Sequence, residues 1–273
     1  MSIDPPSLLS DLFSPSQERL RIFVLLAGCL LLFGAGIGMR SLWNPNEPVY
    51  GEGTREMILN GNYYIPTVNG AIYSDKPIFY FWAMAAGCLL TGGLSEAGLR
   101  LPSVISGLFS VLLIYWLGRQ IFGIRAGFLS AACLATTVMF WWHSQFIQMD
   151  QLLSFQMLSA LVCFFAAREI PGPRSALMLA ASGAFMGLAF LTKGPVGVVI
   201  PAAVIGAYLL LLWEPLWIFR REVIWMTGAF LLCAAPWYVS LALTGHQDFL
   251  ADFFIRHNLE RATDPFNHAQ PFW

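Results

Sequence analysis

Residues 41–77, SLWNPNEPVYGEGTREMILNGNYYIPTVNGAIYSDKP, form a polar stretch in a chain that is otherwise mostly apolar. Its charged side chains are Glu47, Glu52, Arg55, Glu56, Asp75 and Lys76. Ionisable groups held against a membrane are costly to desolvate and therefore often mark functional sites. The pattern predicts that the remaining segments are a scaffold, which presents this loop together with Asp150 at one membrane face.

The composition is that of an integral membrane protein. Of the 273 residues, 57% are hydrophobic and 11% are charged, whereas soluble domains carry about 25% charged residues. The net charge of −1 argues against binding to nucleic acid. The five cysteines lie in apolar runs without metal-ligand spacing and are predicted to be packing residues. The first apolar run lacks a convincing cleavage site, which favours a retained span over a signal peptide.

A helix that spans the hydrocarbon needs roughly 17–25 mostly apolar residues. The segments that meet or nearly meet this length are 22–39, 101–117, 126–142, 152–167, 176–192, 195–213 and 223–243. We therefore predict an all-α, polytopic membrane protein with about seven transmembrane helices in a single domain, residues 1–273. An eighth apolar segment, 78–91, is short and begins with aromatic residues.

The positive-inside rule indicates whether the eighth segment spans the membrane. If 78–91 does not span, the short loops on one face carry pairs of arginines: Arg19, Arg21, Arg119, Arg125, Arg168, Arg174, Arg220 and Arg221. We therefore predict an interfacial helix at 78–91. Residues 1–21 become a cytoplasmic tail, 40–100 an outer-face loop with juxtamembrane helices, 101–243 a helical bundle and 244–273 an outer-face tail.

The first candidate site lies at Asn46 and Glu47, after a turn signal and before a short amphipathic helix that is predicted to start near Tyr50. A carboxylate just outside the first span can act as a general base or bind a metal ion. It can equally cap a helix, and both interpretations stay open for Glu47. For Glu52 and Glu56 a solvated helix surface is the better interpretation.

The second candidate is Asp150, which directly precedes an apolar span in HSQFIQMDQLL. An acid at this position is often a simple helix cap. His143 and Gln145 lie close in sequence and make a polar site the alternative.

A third group of residues has the chemistry of a phosphate site. Asp75 and Lys76 precede a proline at the start of the interfacial helix, where an ammonium group and helix N-terminal amides favour an anion. An interface anchor with a salt bridge is the alternative. Lys193, in LTKGP, is either a second phosphate contact or a snorkelling side chain. Arg55 and Tyr73 of the same loop complete the predicted donor-phosphate site.

Four residues are candidate contacts to donor or acceptor: His143, and in the C-terminal tail His257, Arg261 and His268. The chain has no HExxH, CxxC, P-loop or GxSxG pattern, which argues against a protease, an ATPase or an α/β-hydrolase.

Several short motifs occur together along the chain. They are W-x-P-[DN]-E-P-x-Y-x-E-x-x-R-E-M (43–57), G-N-Y-Y-I-P-x-x-N-G (61–70), Y-x-D-K-P (73–77), R-L-P-S (100–103), Q-M-D (148–150), L-T-K-G-P-V-G (191–197) and R-H-N-L-E-R with the following P-F-N-H and P-F-W (256–273). This combination resembles the membrane glycosyltransferases of the aminoarabinose transferase and protein O-mannosyltransferase type, whose multi-span fold is called GT-C.

The resemblance implies a polyprenyl-phosphate-linked sugar donor, a lipid, glycan or protein acceptor, and transfer at the periplasmic face of the inner membrane. It implies that Asn46-Glu47 occupies the position of a catalytic acidic pair. It also implies that Asp75 and Lys76 contact the lipid phosphate, and that Asp150 is the acid of the second outer loop. A divalent cation bridging carboxylate and phosphate is compatible with these residues but is not required by the sequence.

The chain departs from the pattern of the family at the first site. The usual Asp of the acidic pair is Asn46 here, and Val49 stands where an arginine is expected. An amide cannot act as a base at neutral pH, so either Glu47 takes the role or activity is reduced. Members of the family also usually continue for several more spans. The alternatives are therefore an inactive or truncated homologue that binds the donor or a partner, and, less favoured because the spans are nearly free of charges, a transporter.

Overall fold

The structure is a computed structural model that describes residues 17–43, 46–220 and 222–260, with side chains described through residue 256. The fold is almost entirely helical, as predicted. In chain order the α-helices are α1 (Glu18–Gly34), α2 (Asn46–Asn60), α3 (Phe79–Leu90), α4 (Glu96–Phe122), α5 (Ile124–Thr136), α6 (Val138–Gln145), α7 (Met149–Glu169), α8 (Pro173–Lys193), α9 (Val196–Leu211), α10 (Val223–Leu243) and α11 (Gln247–Ala251). A 3-10 helix (Pro215–Phe219) precedes α10, and a π-helix (Asp252–Glu260) follows α11.

Among the residues that the structure describes, four helices are long and apolar enough to cross a membrane, namely α4, α7, α8 and α10. Helices α5 and α6 pass the same test together, but they are bent by 63° relative to each other. The break lies at Thr137, whose backbone is extended with φ −64° and ψ 122°. The predicted span 126–142 is therefore two helices and not one straight helix. Within the described ranges, length and composition give four candidate spans, or five with the bent pair, so the total of about seven stays a prediction.

The ambiguous apolar segment 78–91 folds as α3, which has 12 residues. At 1.5 Å per residue it extends about 18 Å, well short of the roughly 30 Å of a bilayer core. It packs tightly on α4, because a Cβ added at Gly87 would lie 2.2 Å from the carbonyl oxygen of Gly98. The length agrees with a non-spanning helix, and its place in the membrane interface stays a prediction.

A short β-hairpin lies between α2 and α3. Strand β1 (Thr67–Val68) pairs antiparallel with β2 (Ala71–Ile72). The register is Thr67 opposite Ile72 and Val68 opposite Ala71. Asn69 and Gly70 form the turn with positive φ values of 54° and 75°, which is the Asn-Gly turn expected between such strands. The carboxylate of Glu56 accepts a hydrogen bond from the Gly70 amide (2.9 Å) and so holds the hairpin against α2.

Contacts between the helices define two ends of the bundle. Helices α4 and α7 begin at the same end, since the Gln148 amide donates to Ser103 Oγ at 3.4 Å. Helix α8 runs in the opposite direction, because Ser175 near its start donates to the Ala167 carbonyl oxygen at 2.7 Å. We call the end where α7 begins the Asp150 end and the end where α7 finishes the Arg168 end.

The loop 41–77 packs on the Asp150 end. One cluster of buried apolar side chains joins α2, α3, α7, α8 and α10, and it includes Met57, Phe81, Leu152, Leu191 and Trp237. The indole N–H of Trp237 also donates to the Tyr64 carbonyl oxygen at 2.9 Å. The polar loop is thereby fixed to the helices that carry Asp150 and Lys193.

Candidate active site

Asp150 and Lys193 form an ion pair at the Asp150 end of the bundle. Asp150 lies in the first turn of α7 and Lys193 is the last residue of α8, and Lys193 Nζ donates directly to Asp150 Oδ1. Each charge is stabilised by the dipole of its helix terminus. The side chains are 47% and 33% exposed, respectively, so both remain accessible to a ligand. Two residues predicted separately from the sequence are thus brought together.

The carboxylate of Glu47 has a very different environment. Its side chain is 0% exposed, and the equally buried Arg100 binds both of its oxygens. Arg100 Nε donates to Oε1 and Nη2 to Oε2, each at 2.9 Å. The backbone amides of Trp43 and Ile147 each donate to one oxygen at 2.8 Å. Each carboxylate oxygen therefore accepts two hydrogen bonds.

These contacts decide the protonation state of Glu47. Burial alone would raise its pKa, but the hydrogen bonds from Arg100 and from the amides of Trp43 and Ile147 hold the pKa below its ordinary value. An ionised carboxylate that is enclosed and fully hydrogen-bonded offers no surface to a substrate hydroxyl. The geometry argues against the general-base role expected for Glu47 and favours a positioning role.

Arg100 contributes to this site but was not among the site residues predicted from the sequence. Besides Glu47, its guanidinium donates to the carbonyl oxygens of Ile37 (2.6 Å), Arg40 (2.8 Å) and Ser41 (3.0 Å). It therefore ties the chain after α1 and the start of α2 to α4. The available signal was a single arginine in an apolar helix within the R-L-P-S motif, since such a charge needs a buried partner.

Asn46 lies at the first residue of α2, next to Glu47 in sequence, and its side chain is exposed. The helix was expected to begin near Tyr50 and begins four residues earlier. Glu47 is therefore a residue of the first helical turn, where a carboxylate is favoured by the helix dipole. Asn46 is exposed whereas the neighbouring Glu47 is buried. The two members of the predicted acidic pair therefore have different environments.

Asp75, Lys76 and Tyr73 lie in the connection between β2 and α3. Lys76 is half-buried, and its Nζ donates to the Asp75 carbonyl oxygen at 3.0 Å. The Tyr73 ring makes edge contacts with the rings of Tyr50 and Phe81, with centroids 6.5 and 6.1 Å apart. Tyr73 is thus a packing residue as well as a candidate contact.

The loop that carries Lys76 is fixed at the Asp150 end from both sides. Ser74 Oγ donates to Asp252 Oδ2 in the segment after α10. Ile78, two residues after Lys76, belongs to the same buried cluster as Met149 and Leu191, the neighbours of Asp150 and Lys193. The three predicted charges therefore lie around one shared core.

Arg55 is paired within its own helix. Its Nε and Nη2 donate to the two carboxylate oxygens of Glu52 at 2.8 and 2.7 Å, and the hydrogen bond from Arg55 lowers the pKa of Glu52. Both residues line a surface cavity of about 360 Å³ with residues of the loop before α4. No described contact joins Arg55 to Lys76 or Asp150. Glu52 is partly exposed, as a solvated helix surface requires. For Glu56 that expectation is wrong, because the residue is only 8% exposed and its carboxylate accepts hydrogen bonds from the Thr67 hydroxyl and the Gly70 amide of the hairpin.

His143 is not brought to Asp150 by any described contact. It lies half-buried in α6, where the adjacent Gln145 accepts a hydrogen bond from Arg40 Nη2 at 3.1 Å and so has a structural role. Of the three tail candidates, Arg261 and His268 lie outside the described residues, as does the side chain of His257. Among the side chains described, no three His, Cys, Asp or Glu residues form a metal-binding group.

Comparison with known proteins identifies the family. The family described as dolichyl-phosphate-mannose-protein mannosyltransferase matches residues 75–239, more than half of the chain. The chain belongs to this family. The matched region contains Lys76, Arg100, Asp150 and Lys193, whereas Glu47 lies before it.

Individual relatives agree with this membership. The undecaprenyl phosphate-alpha-4-amino-4-deoxy-L-arabinose arabinosyl transferase of Erwinia tasmaniensis is 29% identical over 246 residues, which cover 86% of this chain and 42% of the relative. The crystal structure of ArnT from Cupriavidus metallidurans bound to undecaprenyl phosphate superposes with a TM-score of 0.81 at 26% identity, over 89% of this chain and 45% of that chain.

A more distant structure shares the fold alone. It is the Saccharomyces cerevisiae protein O-mannosyltransferase Pmt1-Pmt2 complex bound to the sugar donor, with a TM-score of 0.59 at 19% identity over 94% of this chain and 37% of that chain. The predicted GT-C type of fold and the multi-pass membrane class are confirmed. The chain spans less than half the length of these relatives.

Proposed function

We propose that this chain takes part in transferring a sugar from a polyprenyl-phosphate carrier to a lipid, glycan or protein acceptor. The observation that carries the proposal is the accessible Asp150–Lys193 ion pair at the end where the polar loop packs. Support comes from the likeness to a structure bound to undecaprenyl phosphate. Because arginines cluster towards the opposite end, we place the Asp150 end at the periplasmic face of the inner membrane.

The lysines are assigned to the donor phosphate. Lys193 lies at a helix terminus with its side chain 33% exposed, and Lys76 lies just before α3 on the same core. A phosphate that binds Lys193 competes with Asp150 for the same N–H donors and so releases the carboxylate. Donor binding would thereby expose Asp150 at the moment when an acceptor is needed.

Asp150 is assigned as the base or orienting group for the acceptor. It removes the proton of the acceptor hydroxyl while the oxygen forms a bond to the anomeric carbon. The bond between that carbon and the phosphate oxygen breaks, and the negative charge that develops on the polyprenyl phosphate is stabilised by Lys193 and Lys76. A single displacement of this kind inverts the anomeric configuration. The step needs no metal, although a divalent cation remains compatible with it.

Glu47 and Arg100 are assigned to positioning. Their buried pair joins the segment before α2, the backbone at Ile147 and helix α4. Ile147 lies three residues before Asp150, so the pair fixes the backbone that leads into the active end of α7. Asn46, which replaces the usual acid, carries no base function in this assignment.

The test measures donor binding and sugar transfer separately with the purified chain and a polyprenyl-phosphate-linked sugar. We expect Asp150→Asn to bind the donor and to lose transfer by about 100-fold or more, the usual contribution of a general base. His143→Gln is the matched control, because no described contact joins His143 to the pair, and it should transfer normally. Wild-type transfer by Asp150→Asn would exclude the assignment. Donor binding without transfer in the unmodified chain would instead indicate a binding homologue.

A further inference from the structure

A second cavity lies at the Arg168 end, far from the proposed active site. Its volume is about 990 Å³, and it forms where α7 ends, α8 begins and the segment before α10 returns. Residues on its wall include Arg168, Glu169, Trp217, Arg220, Glu222 and Trp225. Arg168 and Asp150 lie on the same helix and are separated by about 27 Å of helical rise. The cavity is therefore distinct from the Asp150–Lys193 site.

Arg168 supplies a hydrogen-bond donor that is not satisfied within the described chain. Its side chain is 13% exposed and its Nη2 donates to Glu214 Oε2 at 2.6 Å. The guanidinium carbon lies 5.3 Å from the ring centroid of Tyr208 and 5.6 Å from that of Trp217. Its Nη1 is buried and has no hydrogen-bond partner among the described residues. A buried, charged donor without an acceptor is costly, so the geometry favours an anionic ligand.

Further positive character surrounds Arg168. Arg220 also lines the cavity, with its guanidinium carbon 5.6 Å from the Trp217 ring centroid. Helices α8 and α10 both begin beside the cavity, and neither N-terminus has a side-chain cap. Helix N-termini present amide N–H groups and a positive dipole end. These features add to the attraction for an anion that Arg168 creates.

The surroundings favour a lipid as the source of that anion. Large apolar side chains next to the cavity are exposed, and they include Leu216, Phe219, Ile224 and Trp225. Such side chains would contact acyl chains, which a soluble phosphate does not have. The exposed carboxylate of Glu169 also lines the cavity, so a headgroup with an ammonium beside its phosphate matches the charges better than a headgroup without one.

We propose that this cavity binds the phosphate diester of a membrane phospholipid, with a zwitterionic ethanolamine headgroup preferred. Arg168 holds the phosphate through its free Nη1, and Trp217 fixes the guanidinium plane. The bound lipid lies between the end of α7 and the 3-10 helix Pro215–Phe219. The site is independent of sugar transfer, because it lies at the opposite end of the bundle.

The test is native mass spectrometry of the purified full chain in a mild non-ionic detergent. The chain is titrated separately with phosphatidylethanolamine, phosphatidylglycerol and inorganic phosphate. We expect phosphatidylethanolamine to bind best and Arg168→Gln to weaken its binding about tenfold, because a charge-assisted hydrogen bond is lost. The matched control is Arg19→Gln, which removes an exposed arginine of the same end of the bundle and should leave binding unchanged.

A second variant keeps the proposal testable if Arg168→Gln folds poorly, as judged by near-ultraviolet circular dichroism. Glu214→Gln removes the negative charge that is paired with Arg168 Nη2 and that repels a phosphate, and it should strengthen lipid binding severalfold. Equal weakening by Arg168→Gln and Arg19→Gln would overturn the site, as would unchanged or weaker binding by Glu214→Gln. If only inorganic phosphate bound, the proposal that the anion belongs to a lipid would be wrong. If phosphatidylglycerol bound best, the proposed preference for an ethanolamine headgroup would be wrong.

Discussion

Two ion pairs at the same end of this protein have opposite environments. Glu47 and Arg100 are both 0% exposed and completely hydrogen-bonded, whereas Asp150 and Lys193 are each about one-third to one-half exposed. Sequence alone ranks both acids as candidates for catalysis, since both lie at the edge of apolar segments. The difference teaches that a charge near a membrane can serve architecture or chemistry, and that accessibility separates the two roles.

The largest effect is expected from a substitution that breaks the buried Glu47–Arg100 ion pair. Arg100→Gln leaves the Glu47 carboxylate enclosed without its partner, and removing one member of a buried ion pair typically costs about 3–5 kcal/mol. We expect a large drop in the unfolding temperature of the purified chain in detergent. Glu52→Gln is the control, because it disrupts an exposed pair and should change that temperature little. Similar losses in both variants would contradict the structural role of Arg100.

The next effect concerns the accessible pair. Lys193→Gln removes a positive charge assigned to the leaving phosphate, and transfer should fall about 100-fold, as for the loss of one stabilising donor. The unfolding temperature should hardly change, since an exposed ion pair contributes little to stability. Initial rates with a lipid-linked sugar and thermal unfolding of the same preparation measure both quantities. Lys193→Arg, which keeps the charge, should retain more activity; equal loss in the two variants would argue against a charge effect.

A smaller effect follows from the pKa of Glu47. The pKa is lower in the folded chain than in the unfolded chain, so the unfolded state binds a proton first as pH falls. The stabilisation by the pair is therefore complete above the ordinary glutamate pKa of about 4.3 and is lost as pH falls through the lower folded value. Unfolding temperatures between about pH 3 and 7 should show this loss. Glu47→Gln should remove that part of the pH dependence, and an unchanged profile would contradict the assignment.

The smallest effect is expected at position 46. Asn46→Asp adds a carboxylate to the first turn of α2, where the helix dipole favours negative charge by about 0.3–1 kcal/mol. We expect a slight rise in unfolding temperature and unchanged transfer, because Asp150 and not position 46 is assigned as the base. If Asn46→Asp restored transfer in a protein that also carries Asp150→Asn, the base would be at position 46 instead.

The sequence predicts much of this fold, because helix length, apolar runs and aromatic content are local properties. The helical class, the short α3 and the helix-terminal positions of Asp150 and Lys193 follow from such patterns. The pairing of Asp150 with Lys193 depends on α7 and α8 packing side by side, which no local pattern contains. Arg100 was missed for the same reason. Its role as the ion-pair partner of Glu47 depends on contacts between residues that are distant in sequence.

Two local expectations differed from the structure for identifiable reasons. Helix α2 begins at Asn46 and not near Tyr50, because proline is well tolerated in the first helical turn and Pro48 therefore does not delay the start. The segment 126–142 is mostly apolar and carries no charge in sequence, yet the extended backbone of Thr137 splits it into α5 and α6. Neither the burial of Glu47 nor this break changes average hydropathy, so composition could not reveal them.

The most direct test of the account compares two isosteric variants, Glu47→Gln and Asp150→Asn, prepared and measured together. Each removes one negative charge with almost no change in shape, so their difference reports environment alone. Thermal unfolding and single-turnover sugar transfer are recorded on each protein. We predict that Glu47→Gln lowers the unfolding temperature, and that Asp150→Asn unfolds like the unmodified chain but loses transfer about 100-fold or more. A stable Glu47→Gln protein without transfer, beside an active Asp150→Asn protein, would contradict it.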